Sequence, residues 1–104
     1  MALIPEYFPG VEGFQWDEGN STKNWQRHKV TQAEAEEVFL NRPLLIAPSL
    51  ARPGQEARYV ALGRTDTVRL LFVVFTLRGS SIRVVSARPM SRRERMKYEQ
   101  TNLP

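Results

Sequence analysis

The chain has 104 residues, of which 41% are hydrophobic and 25% are charged, proportions that fit one folded domain over residues 1–104 and exclude a disordered chain. The 15 Lys and Arg residues outnumber the 11 Asp and Glu residues, and the net charge of +4 favours an acidic partner, either nucleic acid or an acidic protein. The absence of cysteine excludes disulfide scaffolds, thiol nucleophiles and cysteine-ligated metal sites.

The first half of the chain predicts an irregular arm followed by two helices. Residues 1–13 contain two prolines and two glycines, which break any periodic pattern. Phe14-Gln15-Trp16 alternates like a short strand, and Asp17 is a candidate N-cap for a helix over residues 18–27. Thr31-Gln32-Ala33-Glu34 has the spacing of a capping box, which predicts a second helix that ends before the next proline.

The second half predicts four strands and a short terminal helix. The strands are expected at residues 44–47, 56–63, 69–77 and 82–87, which are rich in Val, Ile, Leu, Phe and Tyr. Turns at residues 65–67 and at Gly79-Ser80 would join the last three into a meander. Ser91-Arg92-Arg93-Glu94 is a second capping box and opens a helix to about residue 100. The expected fold class is α+β, with two N-terminal helices, an antiparallel four-stranded sheet and a C-terminal helix.

The hairpin turn also predicts a strand register. With a two-residue turn at Gly79-Ser80, Thr76 would lie opposite Arg83 and Leu71 opposite Arg88. Because side chains alternate along a strand, this register would place the two arginines on opposite faces of the sheet.

No segment is typical of a membrane protein or a secreted protein. The longest apolar run, residues 70–77, is too short to cross a bilayer, and the first thirteen residues lack the basic start and apolar stretch of a secretory signal. We therefore expect a cytoplasmic protein without a membrane partner.

The sequence lacks the residues that several kinds of catalytic site require. One histidine and no cysteine, without suitably spaced carboxylates, do not make a metal site, and no glycine-rich phosphate loop is present. A Ser-His-Asp triad would have to combine His28 with Ser49 or Ser86, neither of which lies in a nucleophile-elbow sequence. We expect neither a metal nor a cofactor.

Arginine is concentrated in the second half of the chain, at strand ends and just beyond the sheet. The guanidinium group is a permanent cation that can bind phosphate through two parallel hydrogen bonds. Each arginine alone is better explained by solvation or by an ion pair with Glu56, Glu94 or Glu99, whereas the cluster favours a phosphate or an acidic protein as ligand. The members are Arg58, Arg64, Arg69, Arg78, Arg83, Arg88, Arg92, Arg93 and Arg95.

His28 is the one side chain whose ordinary pKa suits proton transfer near neutral pH. At the predicted helix end it would serve equally well as a C-terminal cap. RNA cleavage through the 2′-hydroxyl needs a proton acceptor, a proton donor and positive charge at the phosphate, which one histidine and several arginines would supply without a metal. Trp16, Trp25, Tyr59 and Tyr98 are candidates for base stacking, although core packing is favoured for Trp16 and Tyr59.

Segments in both halves of the chain, taken in order, resemble the BrnT toxin family. The N-terminal segments are Phe14-x-Trp16-Asp17, Asn24-x-x-Arg27-His28-x-Val30 and Ala35-x-x-Val38-Phe39. The C-terminal segments are Arg58-Tyr59-Val60-Ala61-Leu62-Gly63-Arg64, Val73-Val74-Phe75-Thr76-x-Arg78-Gly79, Ile82-Arg83-Val84-Val85-Ser86-Ala87-Arg88 and Arg92-Arg93-Glu94-Arg95-x-x-Tyr98. The resemblance extends from Phe14 to Tyr98.

The resemblance implies a RelE-like ribonuclease fold and a metal-independent endoribonuclease that inhibits translation. It also implies a BrnA-type antitoxin that neutralises the toxin in an oligomeric complex and represses the shared operon, so that the toxin meets operator DNA only through the antitoxin. The expected catalytic residues are His28, Arg64 and Arg88. The expected RNA-binding residues are Arg27, Lys23, Arg78, Arg83 and Arg92.

Two alternatives to an active enzyme stay open. A non-catalytic module would use the same basic surface to hold an acidic antitoxin or nucleic acid, and an inactivated toxin would be kept as a regulatory partner. The family usually has Lys where this chain has Asn20, which removes a cation that Lys23 would have to replace. It usually has Gly where this chain has Lys29, at a position that ends a helix.

Overall fold

The computed structural model describes residues 2–20, 27–49 and 54–101. In chain order the elements are β1 (Gly13–Phe14), α1 (Gln32–Leu40), β2 (Leu45–Ser49), β3 (Arg58–Arg64), β4 (Leu70–Arg78), β5 (Ser81–Pro89) and α2 (Arg92–Thr101). The strands form a five-stranded sheet in the order β1-β5-β4-β3-β2, in which β1 is parallel to β5 and the other neighbours are antiparallel. No helix among the described residues is long and apolar enough to cross a membrane.

The prediction of two N-terminal helices followed by an antiparallel four-stranded sheet is wrong. The sheet is mixed and has a fifth strand, because Gly13 and Phe14 pair in parallel with Ser81 and Ile82. Within the described residues one helix, α1, lies between β1 and β2. The helix predicted over residues 18–27 falls largely on residues 21–26, which lie outside the described residues. A strand of two residues has no periodic pattern that could indicate its partner.

The four predicted strands of the second half are confirmed, and both capping boxes form. Each observed strand end lies within two residues of its predicted position. At the start of α1, the Thr31 hydroxyl accepts from the Glu34 amide at 3.0 Å, and the Glu34 carboxylate accepts from the Thr31 amide at 3.1 Å. Ser91 and Glu94 exchange the same pair of hydrogen bonds before α2. These caps satisfy amide donors that have no partner inside the helix.

The N-terminal arm is part of the hydrophobic core. It folds back on itself through a hydrogen bond from the Leu3 amide to the Val11 carbonyl at 2.9 Å. Ile4 is fully buried, and the Phe8 ring lies 5.0 Å from the Tyr59 ring and 6.4 Å from the Phe75 ring. The arm therefore covers, together with α1, the face of the sheet that carries the main core.

A β-bulge in β5 decides which arginines share a face of the sheet. The turn at Gly79-Ser80 has the predicted two residues, and Thr76 pairs with Arg83 as predicted. Beyond that pair Phe75 faces Val84 and Val74 faces Ser86, so that Val85 is an extra residue. Arg88 consequently pairs with Phe72 and not with Leu71.

The prediction that Arg83 and Arg88 lie on opposite faces is therefore wrong. Thr76 and Phe72 are four residues apart on β4 and point to the same side, and their partners Arg83 and Arg88 share that side. The sequence around Val85 contains no glycine or proline that would indicate a bulge.

The side of the sheet opposite the main core is called the outer face below. The C-terminal helix α2 covers one end of it, where Tyr98 and Met90 pack with Leu62 in a small second core. The rest is not covered by a helix in the described part of the chain. Its residues on β3, β4 and β5 include Arg58, Val60, Leu62, Arg64, Leu70, Phe72, Val74, Thr76, Arg78, Arg83, Ser86 and Arg88.

Candidate functional site

Five arginines lie on the outer face, on three neighbouring strands. Because adjacent strands are spaced by about 5 Å, β3 and β5 are roughly 10 Å apart, and the five side chains border one shallow surface. Guanidinium groups on one surface suit a phosphodiester backbone, because each can bind phosphate through two hydrogen bonds. The members are Arg58, Arg64, Arg78, Arg83 and Arg88.

At the end of the outer face near the β4–β5 turn, two of these arginines are paired with carboxylates. Arg78 donates to Glu56 at 2.6 and 3.1 Å, and Arg83 donates to Asp17 at 2.6 and 3.1 Å. The hydrogen bonds from Arg83 hold the pKa of Asp17 below its usual value, and those from Arg78 lower the pKa of Glu56. Both carboxylates are therefore ionised at neutral pH.

A groove of about 220 Å³ lies between these pairs, with Arg58, Thr76, Arg78 and Arg83 among its lining residues. Arg58 has no ion-pair partner in the part of the chain that the structure describes. Thr76 is 2% exposed, and its hydroxyl is buried without a hydrogen-bond partner among the described residues. The groove thus combines permanent cations with an unused hydrogen-bonding group.

Asn20 is a structural residue at the wall of this groove. Its side-chain amide donates to the carbonyls of Gln15 at 3.1 Å and of Val84, beside the bulge, at 3.0 Å. Its side-chain oxygen accepts from the Asp17 amide at 2.8 Å. The sequence comparison with the family indicated only a missing cation here. The structure shows an asparagine that satisfies three backbone groups and holds the Asp17 loop against β5.

At the other end of the outer face, Arg88 and Arg64 lie beside α2. Arg88 donates to both oxygens of Glu94 at 2.8 and 2.9 Å, and its guanidinium carbon lies 4.0 Å from the centre of the Phe72 ring. The Arg88 side chain stays 35% exposed. Arg64 is close enough to Tyr98 for its charge to oppose the rise in the pKa of the Tyr98 hydroxyl that burial causes.

Of the aromatic candidates for base stacking that the structure describes, one is buried and two are partly buried. Trp16 and Tyr59 pack against the main core, as predicted. Tyr98 is 3% exposed and donates its hydroxyl to the Pro43 carbonyl at 2.6 Å, so it anchors α2. Trp25 lies outside the described residues.

His28 lies just before α1, in a segment that Arg69 connects to the first turn of that helix. Arg69 donates to the carbonyls of His28 at 3.2 Å and Lys29 at 2.7 Å, and also to the Glu34 carboxylate. Lys29 has a φ of 55°, so its backbone has the left-handed conformation that commonly requires glycine at a helix end. Among the described residues, no hydrogen bond joins the His28 imidazole to Arg64 or Arg88. No sequence pattern distinguished Arg69 from the other clustered arginines.

Three predicted site residues remain, of which the structure describes two. Arg27 is exposed next to His28, and Arg92 is exposed at the start of α2. Lys23 lies outside the described residues. Over residues 2–20, 27–49 and 54–101, no group of three His, Asp or Glu side chains is placed to hold a metal ion. The outer face therefore offers positive charge and hydrogen-bond donors, and the one imidazole in the chain that could transfer a proton is that of His28.

Comparison with known proteins identifies the family. A family model described as the ribonuclease toxin BrnT of type II toxin-antitoxin systems matches residues 16–94, well over half of the chain. The matched range contains His28, strands β2 to β5 and all five outer-face arginines, and it leaves out the N-terminal arm. No match was found among curated proteins. A toxin of this kind acts on RNA and has an antitoxin as its partner. The chain belongs to the BrnT family of ribonuclease toxins of type II toxin-antitoxin systems.

Proposed function

We propose that this chain is a metal-independent endoribonuclease that binds RNA across the outer face and cleaves it by attack of a 2′-hydroxyl on the adjacent phosphodiester. The observation that carries the proposal is the bulge at Val85, because it brings Arg88 to the face that already carries Arg83 and the arginines of β3 and β4. A phosphate under attack gains negative charge, and guanidinium groups that are already oriented stabilise that charge without reorganisation.

In this proposal Arg88 and Arg64 stabilise the phosphate in the transition state. The Arg88 guanidinium is oriented by Glu94 and by the Phe72 ring and keeps an exposed portion for substrate. Arg64 lies on β3, beside the α2 end of the same face. His28, the one imidazole in the chain, accepts or donates the proton.

The phosphates that flank the cleaved bond are assigned to Arg27, Lys23, Arg78, Arg83 and Arg92. The antitoxin is proposed to be of the BrnA type, to form an oligomer with the toxin in the cytoplasm and to connect it to operator DNA. The net charge of +4 suits an acidic antitoxin as well as RNA.

Cleavage of a labelled RNA by the purified chain tests the proposed chemistry. We expect the rate to be unchanged in EDTA and the products to end in a 2′,3′-cyclic phosphate and a 5′-hydroxyl. His28→Ala is expected to lower the rate by about 100-fold or more, since a positioned acid or base contributes that much. The same variant is expected to relieve growth arrest when the chain is expressed without its antitoxin.

Three results would count against the proposal. Loss of cleavage in EDTA would indicate a metal-dependent enzyme, and a wild-type rate for His28→Ala would remove His28 from the mechanism. RNA binding without any cleavage would favour the non-catalytic module. In that case the arginines of the outer face would bind the nucleic acid and take no part in a reaction.

A further inference from the structure

We infer that the groove formed by Arg58, Thr76, Arg78 and Arg83 is a binding site for one phosphate group of the RNA, and that the Glu56 carboxylate occupies this site when RNA is absent. The inference rests on the proposed function, because it takes RNA as the ligand of the outer face. It adds a defined phosphate position at the end of the outer face opposite Arg88, and it adds the displacement of Glu56 by that phosphate.

The buried hydroxyl of Thr76 is the first observation. A buried polar group without a hydrogen-bond partner destabilises a fold, and valine would fill the same volume without that penalty. Thr65 is equally buried, but its hydroxyl accepts a hydrogen bond from the Arg69 amide at 3.0 Å. Thr76 has no such partner among the described residues, and it lines the groove. A ligand oxygen in the groove would satisfy it.

The second observation is how the carboxylates bind the arginines. Arg78 uses Nε and Nη2 to hold both oxygens of Glu56, and Arg83 uses Nη1 and Nη2 to hold both oxygens of Asp17. Two oxygens of a phosphate fit the same paired donors. The carboxylates therefore stand where phosphate oxygens would bind, and the groove already has the geometry of an anion site.

The two carboxylates differ in how firmly they are held. Asp17 also accepts a hydrogen bond from the Gly19 amide at 2.8 Å, and a Cβ on Gly19 would come within 2.9 Å of Arg83 Nη2. The Asp17 side chain is 48% exposed, but Arg83 and the amide of its own loop together supply three hydrogen bonds to its carboxylate. The Glu56 side chain is 42% exposed and accepts two hydrogen bonds from Arg78, and no backbone amide in the described residues donates to it. Glu56 is the group that a phosphate would displace.

Displacement of Glu56 would also give a phosphate access to the Thr76 hydroxyl. The Thr76 hydroxyl is close enough to the Glu56 carboxylate to help lower the pKa of Glu56. A phosphate that takes the place of Glu56 at Arg78 would lie beside Thr76 and beside Arg58, which has no ion pair in the described residues. The negative charge of Glu56 opposes this exchange, so its removal should strengthen RNA binding.

Fluorescence anisotropy with a labelled 2′-O-methyl oligoribonucleotide tests the inference, because the blocked 2′-oxygen prevents cleavage of the probe. We expect Thr76→Val to weaken binding by about fivefold, the effect of losing one hydrogen bond. Its melting temperature should stay the same or rise. Thr76→Ser, which keeps the hydroxyl, should bind like the wild type. Glu56→Gln should strengthen binding by about threefold, because it removes the competing charge.

Thr65→Val is the matched control, since it deletes an equally buried hydroxyl that is already used within the fold. It should lower the melting temperature and leave binding unchanged. Wild-type affinity for Thr76→Val, or unchanged or weaker binding for Glu56→Gln, would overturn the inference. If those variants bind like the wild type while Arg88→Ala weakens binding, the groove is not a phosphate site, but RNA still binds the outer face. A wild-type chain that does not bind the probe would overturn both.

Discussion

Arg88→Ala is expected to lower the rate of RNA cleavage by about 100- to 1,000-fold, the usual effect of removing one oriented donor to a transition-state oxygen. Arg88 follows the bulge on β5, and its guanidinium group is fixed by two hydrogen bonds to Glu94 and by the Phe72 ring. Its orientation is therefore set before substrate binds. Single-turnover cleavage of a labelled RNA measures the effect on the chemical step.

Two further variants separate charge, geometry and folding. Arg88→Lys keeps the positive charge but loses the planar pair of donors, so we expect an intermediate rate. Arg42→Ala removes an arginine that pairs with Glu6 and is not on the outer face, and it should cleave like the wild type. Melting temperatures identify any folding defect that follows from the lost contact with Glu94. A folded Arg88→Ala variant with a wild-type rate would contradict the assignment.

Ile4→Ala is expected to lower the free energy of unfolding by about 3 kcal/mol, within the range seen when a large buried aliphatic side chain is truncated. Ile4 lies in the N-terminal arm and is fully buried in the main core. The Tyr7 hydroxyl, also in the arm, donates to the Leu44 carbonyl at 2.7 Å, which fixes the arm to the segment before β2. Urea unfolding followed by tryptophan fluorescence measures the loss.

Glu6→Ala is the control within the same arm. Glu6 is exposed and forms a surface ion pair with Arg42, so its removal should change the free energy of unfolding by less than about 1 kcal/mol. An Ile4→Ala variant as stable as the wild type would show that the arm is not part of the folded core. The expected loss would show that the domain extends beyond the range of residues 16–94 that the family model matches.

Local signals predicted most of the secondary structure. The Thr31–Glu34 and Ser91–Glu94 capping boxes depend on residues three positions apart, and both form where the sequence predicts them. The two-residue turn at Gly79-Ser80 was likewise predicted, since Gly79 supplies the positive φ that the turn needs. Such features are determined by neighbouring residues, and therefore they can be read without knowledge of the fold.

Features that depend on distant residues were missed or wrongly predicted. The parallel pairing of Gly13 with Ser81 is made possible by the arm, whose Glu12 amide donates to the Ser80 carbonyl at 2.8 Å. The arm itself has no periodic pattern, although Ile4 and Val11 are buried. Both features arise from tertiary contacts, and no local propensity indicates them.

The candidate site was predicted in composition but not in arrangement. The arginine cluster was visible in the sequence, yet the bulge at Val85 determines that Arg83 and Arg88 share a face. Thr76 was not identified, because a threonine within a hydrophobic strand gives no sign that its hydroxyl lacks a partner. Asn20 was interpreted as a lost cation, whereas its three hydrogen bonds become evident only when the Asp17 loop lies against β5.

The claim on which the proposed function depends is that RNA lies on the outer face. NMR spectra of the isotope-labelled chain, recorded with and without the 2′-O-methyl oligoribonucleotide, test it directly. The account predicts that RNA shifts the side-chain Nε–Hε signals of Arg78, Arg83 and Arg88 and leaves those of Arg42 and Arg69 unchanged. Shifts confined to Arg42 and Arg69, with the outer-face signals unmoved, would contradict it.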